Sequence, residues 1–236
     1  MDHFRRYAIY FLPQRAAWSD FAASWLGWDA VQGRTLAHPD VPGLPLSLAQ
    51  ITARPRRYGL HATIKAPFYL AENTTAAALC NATDALCAAL APVELGGLRI
   101  GRMGSFLALL AQEDSAALSD LAAKVVAGLD DFRAPPSDAE LTRRRAARLD
   151  PQQERLLLRW GYPNVMERFR FHITLTGRIH RHNLEPVQIA LTQTLEPILP
   201  QPFQLASLCV VGEDDTGYFH KIHRADLTGT KTLSVE

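Results

Sequence analysis

The feature that most constrains this chain is a short pattern that occurs twice. Gly59-Leu60-His61-Ala62-Thr63-Ile64-Lys65 and Phe171-His172-Ile173-Thr174-Leu175-Thr176 both read histidine, apolar, threonine, apolar. In a strand, successive side chains alternate between faces, so His61, Thr63 and Lys65 are expected on one face and Ala62 and Ile64 on the other. His172, Thr174 and Thr176 share a face by the same rule. Landmarks downstream keep step: His61 to Val93 is 93 − 61 = 32 positions, and His172 to Phe203 is 203 − 172 = 31. The period of 172 − 61 = 111 residues is too long for a solenoid. The expected fold is therefore α+β and duplicated: two similar lobes, each an antiparallel sheet backed by helices, packed about a pseudo-twofold axis. The first lobe covers about 55–112, a helical connection about 114–160 and the second lobe about 167–226, all within a single two-lobed domain, 1–236.

Local patterns fill in this outline. Residues 7–12 are aromatic and β-branched and stop at Pro13, which predicts a strand. Trp18, Phe21, Ala22, Trp25 and Trp28 recur at helical spacing, which predicts a helix over 16–28. Helices are predicted over 74–90, 138–148, 151–160 and 184–199, and another after Asp114 or Ser115. Asp150 suits an N-cap, and Pro151 suits a first helical position. Residues 93–111 read as two strands broken by Gly101-Arg102-Met103-Gly104, residues 169–179 as a strand, and 203–225 as a hairpin around 213–217.

Composition narrows the functional classes. Hydrophobic residues are 47 % and charged residues 21 % of 236, enough to bury a core without a disulfide or metal staple. Cys80, Cys87 and Cys209 read as reduced thiols, which with the absence of an apolar run of spanning length predicts a cytoplasmic protein without a membrane partner. The net charge of +1 argues against DNA and against coating nucleic acid in bulk. Locally, residues 143–170 hold eight arginines against three acids, a sum of 8 − 3 = +5. The plain reading is a solvated helical face; the sharper one is a basic wall for a phosphorylated ligand.

The paired histidines and threonines define a chemistry. Residues two apart on a strand face stand roughly 6.6 Å apart, a spacing that suits two groups on different oxygens of one phosphate. An imidazole exchanges a proton near neutral pH, and a hydroxyl donates to a non-bridging oxygen without adding charge. Two such strands would hold His61 and His172 on either side of a phosphodiester, one as general base and one as general acid, with Thr63 and Thr174 as donors. Further candidates for substrate binding are Lys65, Tyr58, Arg170, Thr176 and Tyr218. His180, His182, His220 and His223 offer imidazoles to a metal, but no carboxylate is obviously placed to complete a shell, so neither metal nor cofactor is expected. No Walker-type phosphate loop is present.

With these residues in view, the chain resembles the 2H phosphoesterase superfamily. The stretch Arg57-Tyr58-Gly59-Leu60-His61-Ala62-Thr63-Ile64-Lys65-Ala66-Pro67-Phe68, with Phe171 to Gly177, is similar to a branch associated with phosphonate metabolism. The resemblance covers roughly residues 5–225 and implies a duplicated fold with a central cleft. It implies a metal-independent cyclic phosphodiesterase acting on a small cyclic ribose phosphate or 2′,3′-cyclic phosphate. His61, Thr63, His172 and Thr174 are the residues carried over. Two other readings stand beside it: an RNA-end 2′,3′-cyclic phosphodiesterase or ligase, and a non-catalytic module that senses a phosphorylated metabolite.

Overall fold

A computed structural model describes residues 4–230. Eleven strands occur in chain order: β1 Arg6–Phe11, β2 Trp28–Asp29, β3 Arg34–Thr35, β4 Ala62–Phe68, β5 Val93–Leu95, β6 Leu98–Met103, β7 Phe106–Ala111, β8 His172–Thr174, β9 Phe203–Leu205, β10 Ser207–Glu213 and β11 Phe219–Asp226. The α-helices are α1 Ala17–Leu26, α2 Leu48–Ile51, α3 Ala76–Ala88, α4 Ala116–Gly128, α5 Asp138–Arg145, α6 Pro151–Trp160 and α7 Arg181–Leu195. The fold is α+β with antiparallel sheets. Seven strands form the main sheet in the order β11-β10-β1-β4-β8-β7-β6; β5 pairs with β9 and β2 with β3 in two small ones.

Both motif strands lie in the main sheet as immediate antiparallel neighbours, β4 beside β8. After each motif strand the order of elements is the same: helix, short strand, hairpin. The hairpin that follows β4 pairs through β7 with β8, while the hairpin that follows β8 pairs through β10 with β1. Strand β1 in turn pairs with β4, so each hairpin extends the sheet on the far side of the other motif strand. Val93 and Phe203, the landmarks that keep step downstream of the two histidines, begin β5 and β9, which pair with each other.

The two sheet faces differ in kind. Tyr7, Ile9, Phe11, Ala62, Ile64, Leu107, Leu109, Ile173, Leu208 and Val210 turn to the main core with the apolar sides of α1, α3, α4 and α7. On the other face Ala8, Tyr10, Leu12, Cys209, Val211 and Phe219 form a small cluster with Tyr58 against it. The three cysteines are free and buried, and burial pushes Cys87 up to about 12 and Cys209 up to about 11, so both stay as unreactive thiols.

Several sequence expectations shift in detail. Residues 93–111 hold three strands rather than two, interrupted at Gly96-Gly97 and at Gly104-Ser105, and Gly101 sits inside β6. There a Cβ would meet Leu110 Cδ1 at 2.5 Å. Helix α7 begins at Arg181, so Pro186 lies inside it rather than in its first turn. Regular strand at the second motif ends at Thr174. Beyond it the Thr176 hydroxyl accepts from the Leu107 N–H, and the side chain thereby takes a place that ladder backbone would otherwise fill. The caps behave as expected: Asp150 accepts from the Gln152 and Gln153 N–H groups, with Pro151 as first residue of α6. No helix among the described residues is long and apolar enough to cross a membrane.

Candidate active site

Register brings the four motif residues together. Ala62 pairs with Ile173. One step to either side in an antiparallel ladder sets His61 beside Thr174 and Thr63 beside His172, all on the face opposite Ala62 and Ile173. Directly opposed Cβ atoms lie about 4.5–5.5 Å apart and diagonal ones roughly 7–8 Å, so the two imidazoles spring from diagonal positions of one four-residue square. The histidines thus meet as diagonal neighbours on adjacent strands of one sheet, not on strands facing each other across a gap.

Both rings are held by the same device. The His61 Nδ1 lies 3.0 Å from the Gly59 carbonyl, and the His172 Nδ1 lies 2.8 Å from the Arg170 carbonyl. A carbonyl only accepts, so each Nδ1 carries the proton when the ring is neutral, and each Nε2 is left as the acceptor. The His61 Nε2 receives the Thr63 hydroxyl at 3.1 Å. Gly59 (φ +68°) takes a backbone conformation that side chains rarely adopt, and an added Cβ would meet Ala30 Cβ at 2.9 Å.

The two environments are unequal. His61 is 8 % exposed. Its ring stacks on Tyr10 with centroids 4.1 Å apart and lies 5.8 Å from Tyr58. Burial lowers His61 to about 4; the Gly59 carbonyl opposes this, and the charge of nearby His172 adds to it. His172 is half-buried, with Phe106 at 6.0 Å. Across β7 the register continues through Leu110 to Arg99 on β6, so an exposed arginine shares the row of His172.

The remaining candidates divide. Tyr58 does border His61, and its ring also lies 5.4 Å from Phe219. Lys65 does not share the face of His61. Tyr10 aligns with Thr63 but Ile9 aligns with Lys65, so β4 carries an extra residue there; the bulge turns Lys65 to the helix side. It is 3 % exposed, and its amine donates to the Val126 carbonyl at 2.9 Å and to Asp130 at 3.0 Å. Burial lowers the Lys65 amine, and Asp130 opposes that shift. Burial would raise Asp130, but hydrogen bonds and charge from Arg133 and Lys65 hold it below the ordinary carboxylate range. Thr176 is 1 % exposed and spends its hydroxyl on backbone, accepting from Leu107 and donating to the Gly177 carbonyl. Tyr218 is turned onto Trp28, centroids 4.5 Å apart. The Arg170 guanidinium is exposed and donates to the Phe169 carbonyl; its link to the site is through its own carbonyl on His172.

Of the histidines weighed for a metal, His180 and His182 stack on each other with centroids 4.7 Å apart, while His220 and His223 each have a carboxylate beside them, contrary to the sequence expectation. His220 meets Asp214 at 2.8 Å and His223 meets Asp84 at 2.7 Å. Among the described residues no three His, Cys, Asp or Glu side chains are grouped so as to hold an ion. Tyr10 and Asp130 were not singled out by sequence. A phenol in a first strand and an aspartate after a helix look like packing and a cap until the partner strand and the bulge are known.

The fold and this face define an α+β protein with a pair of carbonyl-tethered imidazoles on an antiparallel sheet. Over residues 63–220 the chain matches the family described as "Protein of unknown function (DUF1045)", and it belongs to that family. It is 40 % identical over 176 residues to a "Ribose 1,5-bisphosphate phosphokinase PhnN" of Janthinobacterium sp. (strain Marseille), covering 74 % of this chain and 39 % of that protein. A protein of the same name from Laribacter hongkongensis (strain HLHK9) is 32 % identical over 211 residues, covering 88 % of this chain and 48 % of that one. The chain thus spans less than half the length of these curated relatives. Among solved structures, E. coli LigT complexed with 3′-AMP aligns with TM-score 0.42 and 14 % identity over 94 % of this chain and 98 % of that one. TT0787 of Thermus thermophilus aligns with TM-score 0.47 and 14 % identity over 95 % and 98 %.

Proposed function

We propose that the chain is a phosphodiesterase of 2H type that opens a small cyclic ribose phosphate by acid–base chemistry between His61 and His172, without a metal. The observation that carries this reading is the square of His61, Thr174, Thr63 and His172 on one sheet face, with both imidazoles tethered through Nδ1. The phosphate lies over the square, and the threonine hydroxyls donate to its non-bridging oxygens. Neutral His61 takes a proton from water through Nε2, and the water oxygen bonds to phosphorus. The ring P–O bond breaks, and its alkoxide takes the proton carried on Nε2 of His172. A phosphomonoester and a free hydroxyl result, and one proton has passed from His172 to His61.

The division of roles follows from the surroundings. Burial disfavours the cationic form of His61, which keeps it ready as a base, and this reading gives the acid role to His172, the more exposed of the two rings. Binding requires one rearrangement: the Thr63 hydroxyl occupies the His61 Nε2 and turns from it to the phosphate.

The relatives' name favours a ribose phosphate as substrate, and a place in phosphonate metabolism is part of this proposal. The kinase step in that name is assigned to the remainder of those longer proteins, because this chain has no phosphate-cradling Gly-rich loop ending in Gly-Lys-Ser/Thr. The test is phosphorus NMR of a five-membered cyclic ribose phosphate incubated with the protein in EDTA. The diester signal is expected to give way to a monoester. Turnover that disappears with EDTA and returns with a divalent ion would overturn the metal-free step.

A further inference from the structure

We propose that Tyr10 is the positioning residue that makes the two histidines unequal: its ring holds His61 flat and dry, so that His61 rather than His172 serves as the base. This rests on the two-histidine reading above and names what divides the roles. The first observation is a break in an otherwise matched register. Strand β1 flanks β4, and β7 flanks β8, each on the side away from the other motif strand. Tyr10 pairs with Thr63 and Phe11 with Ala62, which sets Leu12 beside His61. In the other half Ala108 pairs with Thr174 and Leu110 with His172. Opposed residues share a face, so each histidine has a leucine beside it and each threonine has one neighbour from the flanking strand. That last neighbour is a tyrosine in the first half and an alanine in the second. Of the four matched positions, histidine, threonine, leucine and this one, it alone differs in residue type.

The second observation is contact. From its diagonal position Tyr10 lays its ring against His61, centroids 4.1 Å apart and planes tilted by 31°. Phe219, fully buried, backs Tyr10 at 5.5 Å and meets Tyr58 at 5.4 Å, and Tyr58 lies 5.8 Å from His61. The imidazole is thus fixed at two points, by the Gly59 carbonyl on Nδ1 and by the phenol ring on its face, with Nε2 turned to Thr63. Ala108 brings no ring to His172, whose aromatic neighbour is Phe106 at 6.0 Å. The titratable groups that face His61 are Tyr10 from β1, Tyr58 from the turn before β4 and His172 from β8. Tyr10 is 1 % exposed, and burial raises its phenol well above the ordinary range, so it excludes water from His61 without adding charge. Loss of hydration is the largest influence on the His61 ring.

The experiment is an NMR titration of the histidine ring signals, assigned with His61→Gln and His172→Gln, in wild type, Tyr10→Phe, Tyr10→Ala, Tyr10→Leu and Ile9→Ala. The acid limb of kcat/KM on a cyclic ribose phosphate is measured alongside. Tyr10→Ala is expected to raise the His61 midpoint by about one pH unit or more, toward its ordinary value, with His172 within about half a unit of wild type. Tyr10→Phe keeps the ring and should keep the midpoint. Ile9→Ala truncates the opposite face of the same strand, in the main core, and should leave His61 unmoved. If Tyr10→Ala does not fold, Tyr10→Leu is expected to show the rise in smaller measure. An unmoved midpoint in the truncations, or an equal rise in Ile9→Ala, overturns the proposal. So does a lowered midpoint, which would mean that the ring face supports the cation. The acid limb should follow the midpoint; a limb that stays while the midpoint rises rejects His61 as the base. If wild type turns nothing over, a raised midpoint keeps the hold of Tyr10 on His61 and rejects the diesterase.

Discussion

Burial sets the working range of His61. With its folded value near 4 against an ordinary 6.5, the ring is neutral throughout the physiological range, the state the proposed reaction asks of its base. The acid limb of kcat/KM is therefore expected near pH 4 rather than 6.5. The same shift governs stability. Between about pH 6.5 and 4 the unfolded chain binds this proton and the folded one does not, so stability falls as the pH is lowered through that window. The full effect is of order 3 kcal/mol. Urea unfolding of wild type and His61→Gln at pH 7 and pH 4.5 measures it: the variant should lose this part of the acid sensitivity. Replacing either His61 or His172 by Ala should lower turnover of a cyclic ribose phosphate by about 10²–10⁴-fold with the circular-dichroism spectrum unchanged. At this scale the sequence was informative where alternation held. Histidine and threonine two apart land on one face in both motifs, whereas Lys65, two residues further, does not, because one extra residue in β4 reverses its side.

That extra residue has a use at the level of elements. By turning Lys65 inward it lets β4 grip the end of α4 and the segment after it, through the Val126 carbonyl and through Asp130, which also holds Arg133 and meets Arg159 of α6 at 3.7 Å. The network ties the helical connection to the motif strand. Its two ends should respond unequally to substitution. Asp130→Asn leaves a buried ammonium without its counter-charge and is expected to cost roughly 3–5 kcal/mol. Lys65→Met leaves Asp130 in the two-toothed grip of Arg133 and should cost less than about 2 kcal/mol. Chemical denaturation of the two variants distinguishes this from a solvated lysine, for which both changes would be small. Helices with clear caps and apolar periodicity were readable from sequence, Asp150-Pro151 above all. The shortness of β8 was not, because nothing local tells that the Thr176 hydroxyl will stand in for a ladder partner.

For the molecule as a whole, the repeat was legible as equal spacing, but spacing alone does not say which strands pair. The hairpin exchange that merges both halves into one sheet is set by long-range register, which one sequence does not display. Because the two motif strands are bonded to each other and each hairpin extends the sheet beyond the other's motif, neither half holds a complete set of strand partners. Unfolding in urea should give a single transition, with tryptophan fluorescence and far-UV circular dichroism coincident; two separated transitions would mean halves that stand alone.

The seat of β1 between β4 and β10 also governs how the chain is made. Arg6 leaves the ribosome 207 residues before its partner Glu213, an interval of roughly 10–40 s at ordinary translation speeds. For that time one edge of the nascent strand, Ala8-Ile9-Tyr10-Phe11, has no neighbour to cover it. Nascent chains arrested before β10 are the stage at which a chaperone that shields bare strand edges would have most to hold.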